Sequence, residues 1–241
     1  MTPFLLQARL ITPCVYNRPI RLPGLLYHAL LSHYCDEDKA QSALPTLLKE
    51  NDGVFHGSSL IFGIQPESPV IACFQPSLGI MRNESDFNRS LISPNGRGGK
   101  YVSVQLDGGA TKTRLGNNQA YHAPFVTFFG YGHSDKITAL LNHYVSAVGI
   151  NATRGAGTLA PNSWDAREIS EDHSLIDITG KTGEANRGMP LTPLPEELFK
   201  ALSPKKYGDH ESEMVALRPP YYKNTELKLC AVPEKVSRQL I

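Results

Sequence analysis

The sequence contains no C-x-x-C pair, no helical H-E-x-x-H, no nucleophile-elbow G-x-S-x-G and no long apolar run. Each absence removes a class of protein. The four cysteines, Cys14, Cys35, Cys73 and Cys230, are too far apart for a zinc knuckle or a small disulfide scaffold. They read as small buried apolar residues in a reducing compartment. No stretch approaches the roughly 20 apolar residues that a spanning helix needs. Arg9 and Pro13 interrupt the first 16 residues, so they lack the pattern of a secretory leader. These features predict a cytoplasmic chain without membrane contact. Excess charge is missing too. The net charge of +1 gives no global attraction for a polyanion, so any such affinity must come from local clusters of lysine and arginine.

What is present is an ordinary globular composition, 41% hydrophobic and 20% charged, over 241 residues, which is enough chain for a sizeable core. Residues 7–13 predict an opening strand stopped by Pro13. Leu25, Leu26, Ala29 and Leu30 follow at helical spacing, with Pro23 suited to the first turn. A second helix through Leu44–Leu48 is expected to be limited by Pro45. Short strands are expected at Ser59–Ile64 and Val70–Phe74, around a Gln-Pro-Glu-Ser-Pro turn. Further on, Phe125–Phe129 predicts a buried strand, and Ser134 is placed to cap a helix striped by Ile137, Leu140, Leu141, Tyr144, Val145 and Val148. Gly149 is placed to end it. Strands at Trp164–Ile169 and Ser174–Ile178, a short helix near Glu196–Leu202, and strands at Met214–Leu217 and Glu226–Val232 complete the expectation. The order strand–helix–strand–strand–helix–strand can be traced twice, which suits ferredoxin-like α+β units.

The middle of the chain changes character. Between Met81 and Gly116 six basic residues (Arg82, Arg89, Arg97, Lys100, Lys112 and Arg114) face only three acids, so this segment is locally cationic. Lys100–Leu106 and Thr111–Leu115 flank Asp107-Gly108-Gly109, a hairpin turn signal, and neither arm carries a continuous apolar face. A projecting basic hairpin is expected, able to track a phosphate backbone. A second device is the glycine-rich stretch 149–157, in which Gly149, Gly155 and Gly157 would let the backbone approach a polyanion beside Arg154. The plainer alternative is a flexible helix-to-strand connection. Tyr101, Tyr121 and Tyr131 could stack on splayed bases or belong to the core.

Two near-motifs fail on context. Gly180-Lys181-Thr182 would need its earlier Walker glycine at Leu175. Gly155-Ala-Gly157-Thr-Leu-Ala160 follows a helix instead of a strand, and Pro161 stands where a helix should run on. None of the eight histidines lies at metal-ligand spacing, and His28 is the best general base should the chain cut RNA. No cofactor or metal is expected.

Taken in order, these blocks resemble a known family. Leu10-Ile-Thr-Pro13 followed by Ile20-Arg-Leu-Pro-Gly-Leu-Leu-Tyr-His-Ala-Leu30 resembles the first strand and helix of type IV CRISPR RAMP proteins. Arg154-Gly-Ala-Gly157 before Trp164 resembles their glycine-rich loop. Asn186-Arg187-Gly-Met-Pro190, Arg218-Pro-Pro-Tyr-Tyr222 and Cys230-Ala-Val-Pro233 resemble their C-terminal blocks. The similarity is to the Cas-five-like (Csf-three) subunit. It implies a single RAMP-superfamily domain over 1–241, with an RRM-like, ferredoxin-like body and a basic thumb at 82–116. It also implies a non-catalytic role in capping the 5′ handle of the guide crRNA. The implied partners are the backbone RAMP subunit and the large subunit, with target DNA near the adjacent motif as a further contact. Arg82, Arg89, Arg97, Lys100, Lys112, Arg114, Tyr121, Gly149, Arg154, Gly155, Gly157 and Arg187 are the expected RNA contacts. Many relatives carry an acidic residue where Pro23-Gly24 stand here, so that helix start would serve a different contact. The alternative activity is a metal-independent endoribonuclease that processes precursor crRNA with His28 as base.

Overall fold

The computed structural model describes residues 1–16, 18–62, 70–79, 114–145, 149–150, 156–177, 188–205, 210–221, 223 and 226–233. It is a mixed α/β structure with four helices and antiparallel sheets among those residues. The strands are β1 (Thr2–Arg9), β2 (Cys14–Val15), β3 (Glu50–Asn51), β4 (Val54–Phe55), β5 (Ile61–Phe62), β6 (Ile71–Gly79), β7 (Arg114–His122), β8 (Phe125–Gly132), β9 (Asp165–Glu168), β10 (Leu194–Pro195), β11 (Ser212–Ala216) and β12 (Leu227–Ala231). The helices are α1 (Leu22–Tyr34), α2 (Glu37–Leu47), α3 (Ser134–Tyr144) and α4 (Glu196–Leu202). Two compact units are present, Met1–Cys73 with Gln119–Ile241, and Phe74–Asn118.

The first unit is built on a four-stranded sheet of order β5-β8-β1-β9, every neighbouring pair antiparallel. Alternation along β1 sends Phe4, Leu6 and Ala8 to one face and Leu5 to the other. On the first face they join Phe62, Val126 and Phe128 beneath Leu22, Leu26 and Leu30 of α1 and Ile137 and Leu141 of α3. Fit is close there. A Cβ on Gly130, opposite Phe4, would lie 2.3 Å from the Phe4 ring, so only glycine leaves room for that side chain. Asn142 of α3 clamps the chain entering β9, donating to the Trp164 carbonyl and accepting from its N–H, both at 3.0 Å.

The opposite face is covered differently. Leu5, Ile61 and Phe129 lie under Leu191 and Ile169, and the His173 ring tilts over Phe129 at 5.2 Å. A smaller sheet of order β10-β12-β11 packs with α4 around Leu194, Phe199, Ala231 and Val54.

Several expectations shift. The second helix begins at Glu37, well before Leu44, because Asp36 caps it by accepting from the Lys39 N–H at 3.1 Å. Pro45 sits inside its last turn instead of limiting it. Ser134 is the first helical residue and makes no side-chain cap; His133 holds the N-cap position. Helix α3 ends at Tyr144, earlier than its apolar stripe predicts, and 146–148 lie outside the described residues. Ser174–Ile178 forms no strand among its described residues; Ile176 makes only an isolated bridge to Pro190. Cys35 is exposed at the left-handed C-cap of α1 (φ 52°), unlike buried Cys14 and Cys230. The strand–helix–strand–strand–helix–strand order is not traced twice among the described residues, since β10–α4–β11–β12 has a single helix.

Candidate nucleic-acid interface

The two described ends of the glycine-rich stretch, 149–150 and 156–157, meet in a closed neck. Gly149 and Gly157 both adopt left-handed backbone, at φ 78° and 62°. The Ile150 N–H donates to the Gly157 carbonyl at 3.0 Å, and the Gly149 N–H donates back to Val145 at 2.8 Å. A Cβ on Gly149 would stand 2.7 Å from the Gly157 oxygen, so this closure requires glycine on steric and conformational grounds together. The neck is pinned to the chain beyond β1. The Gly157 N–H donates to Pro13, the Thr158 N–H to the Thr12 hydroxyl, and the Ile11 N–H to Thr158.

This places the neck beside one end of the central sheet. Arg9 and Phe125 are cross-strand partners, on the same face as Leu5 and Phe129 by the two-residue period. Arg9 is exposed, Phe125 is 40% exposed, and Ile11 just beyond is 52% exposed. The flanks of β1 continue here as backbone bonds, Leu10 N–H to Pro124 on one side and Ala160 N–H to Arg9 on the other. An accessible cation, an accessible aromatic ring and a glycine neck therefore lie on contiguous chain segments. Neither Arg9 nor Phe125 stands out by spacing; the exposure of an aromatic at a strand start is visible only in the fold.

Of the residues expected to contact RNA, Gly149 and Gly157 form this neck, but both are buried and their N–H groups are taken by Val145 and Pro13, so neither offers the exposed donor expected of it. Arg82, Arg89, Arg97, Lys100, Lys112, Arg154, Gly155 and Arg187 lie outside the described residues, as does the hairpin turn at 107–109. Arg114 opens β7, and its side chain also lies outside the description. Tyr121 is half-buried in an aromatic group, edge-on to Tyr16 at 6.4 Å and tilted on Phe62 at 5.9 Å. Its hydroxyl accepts from the Gln119 amide at 2.7 Å. Burial, with a smaller push from Cys14, raises the Tyr16 phenol far above its usual range. Tyr131 lies under the Lys49 ammonium at 4.5 Å. His28 is exposed on α1, and no hydrogen bond to its ring appears among the described residues.

A histidine cluster that the sequence does not signal lies elsewhere. His56, almost fully buried, donates from Nδ1 to Asp172 at 2.6 Å, the tautomer its partners require. Its Nε2 then accepts from the Asn51 amide at 3.2 Å. The second oxygen of Asp172 accepts from the Ser174 N–H at 2.9 Å and its hydroxyl at 2.5 Å. Burial works to raise the Asp172 pKa, but the bonds from His56 and Ser174 outweigh it and hold the carboxyl below its usual range. An Asp–His pair suggests proton transfer, yet the nitrogen a general base would use is occupied by Asn51. The set is a clasp holding the 172–174 segment to the β3–β4 hairpin.

No family model and no curated protein matches the chain. Among solved structures it is similar to the Csm3-Csm4 subcomplex in the type III-A CRISPR-Cas interference complex, at 10% identity and a TM-score of 0.40, over 96% of this chain and 90% of that one.

Proposed function

We propose that the chain is a non-catalytic RNA-binding subunit of a type IV CRISPR ribonucleoprotein, a RAMP protein that caps the 5′ handle of the guide RNA. The body is read as ferredoxin-like. Its support is the spatial order β5-β8-β1-β9 with α1 and α3 on one face, which fits the split β-α-β-β-α-β arrangement once the intervening short elements are set aside. Fold alone does not name a ligand. The observation that carries RNA binding is the accessible Arg9 paired across the strands with the accessible Phe125 at one end of the central sheet. A guanidinium for phosphate and a ring for a base are what a single strand needs.

In this reading Arg97, Lys100, Lys112 and Arg114 grip phosphates from the thumb, and Arg154 adds a second clamp at the loop. The backbone RAMP subunit and the large subunit are its neighbours. Copurification with the operon partners, followed by sequencing of the bound nucleic acid, tests it: handle-bearing RNA is expected, and its absence overturns the reading. The non-catalytic part has its own test. Precursor RNA incubated with the protein in EDTA should remain intact; cleavage lost in His28→Ala would make the chain a metal-independent endoribonuclease instead.

A further inference from the structure

Among the described residues the small C-terminal sheet ends on β11, and its hydrogen-bond phase shows which groups that edge offers. The Val232 N–H donates to the Glu211 carbonyl at 2.9 Å, which fixes 211 opposite 232 as a bonded pair. The register continues in two-residue steps through Glu213↔Cys230 and Val215↔Lys228. Residues 213 and 215 therefore exchange bonds with β12, while Ser212, Met214 and Ala216 aim their backbone groups outward. The Ala216 carbonyl bears this out, because it accepts from Arg21 Nη1 at 2.8 Å. Arg21 is itself held by stacking over the Tyr221 ring at 3.6 Å. No hydrogen bond to the Met214 N–H or carbonyl appears among the described residues.

Exposed edges are ordinarily blunted by lysine, proline or a bulge. Ser212-Glu-Met-Val-Ala216 has none of these, and its register with β12 is unbroken. One face of the pair is also apolar and uncovered. Met214 is 57% exposed, Leu229 directly opposite it is 49% exposed, and Leu227 is 48% exposed. A cavity of about 590 Å³ runs along 213–216, with Arg18 and Arg21 on its other side. The Arg21–Ala216 bond closes that slot at the C-terminal end of the strand. The other face of β11 is acidic at Glu213, with Glu211 just before the strand, and neither has an ion-pair partner among the described residues.

We propose that the β11 edge docks an extended segment of a partner protein, which adds as a fourth strand beyond Ser212–Met214. The segment alternates apolar residues, set beside Met214, with basic residues set toward Glu211 and Glu213. A backbone in extended form is the one ligand whose N–H and carbonyl spacing matches the outward groups of Met214. A second copy of this chain fits less well, because antiparallel pairing of two β11 edges would bring four glutamates together. The site does not depend on RNA, so its failure leaves the RNA reading untouched.

The test uses the full chain and a fluorescein-labelled seven-residue peptide alternating lysine and valine, followed by fluorescence anisotropy. Saturable binding is expected, with no binding of the matching glutamate–valine peptide. N-methylation of alternate backbone amides in the lysine peptide should weaken binding about five- to tenfold, the scale of one or two backbone hydrogen bonds. Met214→Pro should give a similar loss, since it removes an outward N–H and no bond to β12. Met214→Lys, a change at an exposed side chain, should also weaken binding. Absence of binding, or equal binding of the methylated and unmethylated peptides, overturns the proposal. So does a wild-type dimer that becomes monomeric in Met214→Pro, because the edge would then serve self-association.

Discussion

The two faces of the central sheet use the same strands and are held in different ways. On the helix face Phe4, Leu6, Val126 and Phe128 lie in one continuous apolar body with α1 and α3. On the other face Leu5, Ile61 and Phe129 are covered by segments around Ile169, His173 and Leu191 that form no long element, and Thr127 beside them is buried too. Those segments are fastened by the polar clasp of His56 and Asp172. The far end of that face, at Arg9, Ile11 and Phe125, is left accessible. A face buried by close packing gains stability from every contact, whereas a face covered by a strap depends on a few bonds and leaves room for a ligand.

The largest effect is expected where packing is densest. Phe128→Ala should lower the unfolding free energy by about 3–5 kcal/mol, read from urea denaturation, since Phe128 is fully buried against Trp164. The clasp comes next. Asp172→Ala leaves the His56 Nδ1–H and the Ser174 donors without their acceptor and should cost about 1–3 kcal/mol. Its pattern matters more than its size. Hydrogen exchange should accelerate at 172–176 and 189–191 while α1 and α3 keep their protection. Uniform acceleration would erase the distinction between the faces.

This contrast also explains what was readable in the sequence. The helix face follows from local periodicity, and α1, β8, the helix at Glu196–Leu202 and all of α3 but its expected last turn lie where the sequence puts them. Helix α2 is mostly missed because its outer face is polar and Pro45 dominates the local reading; Asp36 followed by Lys39 and two acids was the available signal. The strap carries no period. His56 and Asp172 are 116 residues apart, and nothing at either position announces the other. The glycine neck is half legible: Gly149 and Gly157 are conspicuous, but their closure on Pro13 and Thr12 is a tertiary fact.

Acidification should separate the faces by a smaller margin. Burial lowers the His173 pKa, against the opposing pull of Glu171, Asp177 and Asp172. Its folded state thus binds a proton less readily than its unfolded state. The strap's full stability is present above the ordinary histidine pKa near 6.5 and is lost as pH falls through the lower folded value. Asp172 adds a second step, since its lowered pKa contributes stability above the ordinary carboxylate value near 3.9 that disappears as pH falls through its folded one. Exchange at 172–176 should rise in these two stages. His173→Phe, which keeps a ring over Phe129, should remove the first, and Asp172→Asn the second.

The smallest stability change belongs to the accessible end, and there the readout divides structure from function. Arg9 is exposed and Phe125 borders solvent, so Arg9→Ala should shift the unfolding free energy by no more than about 0.5 kcal/mol. If that end serves a nucleic acid, the same change should weaken single-stranded RNA binding and reduce the slope of log K against log salt by about 0.7, the value of one phosphate contact. Phe125→Ala should weaken binding without changing that slope, because stacking releases no counterions. Anisotropy titrations at three salt concentrations separate the two effects. An Arg9 variant that loses stability and keeps its affinity would make the open end another piece of scaffold, and the two faces would then differ only in how they are covered.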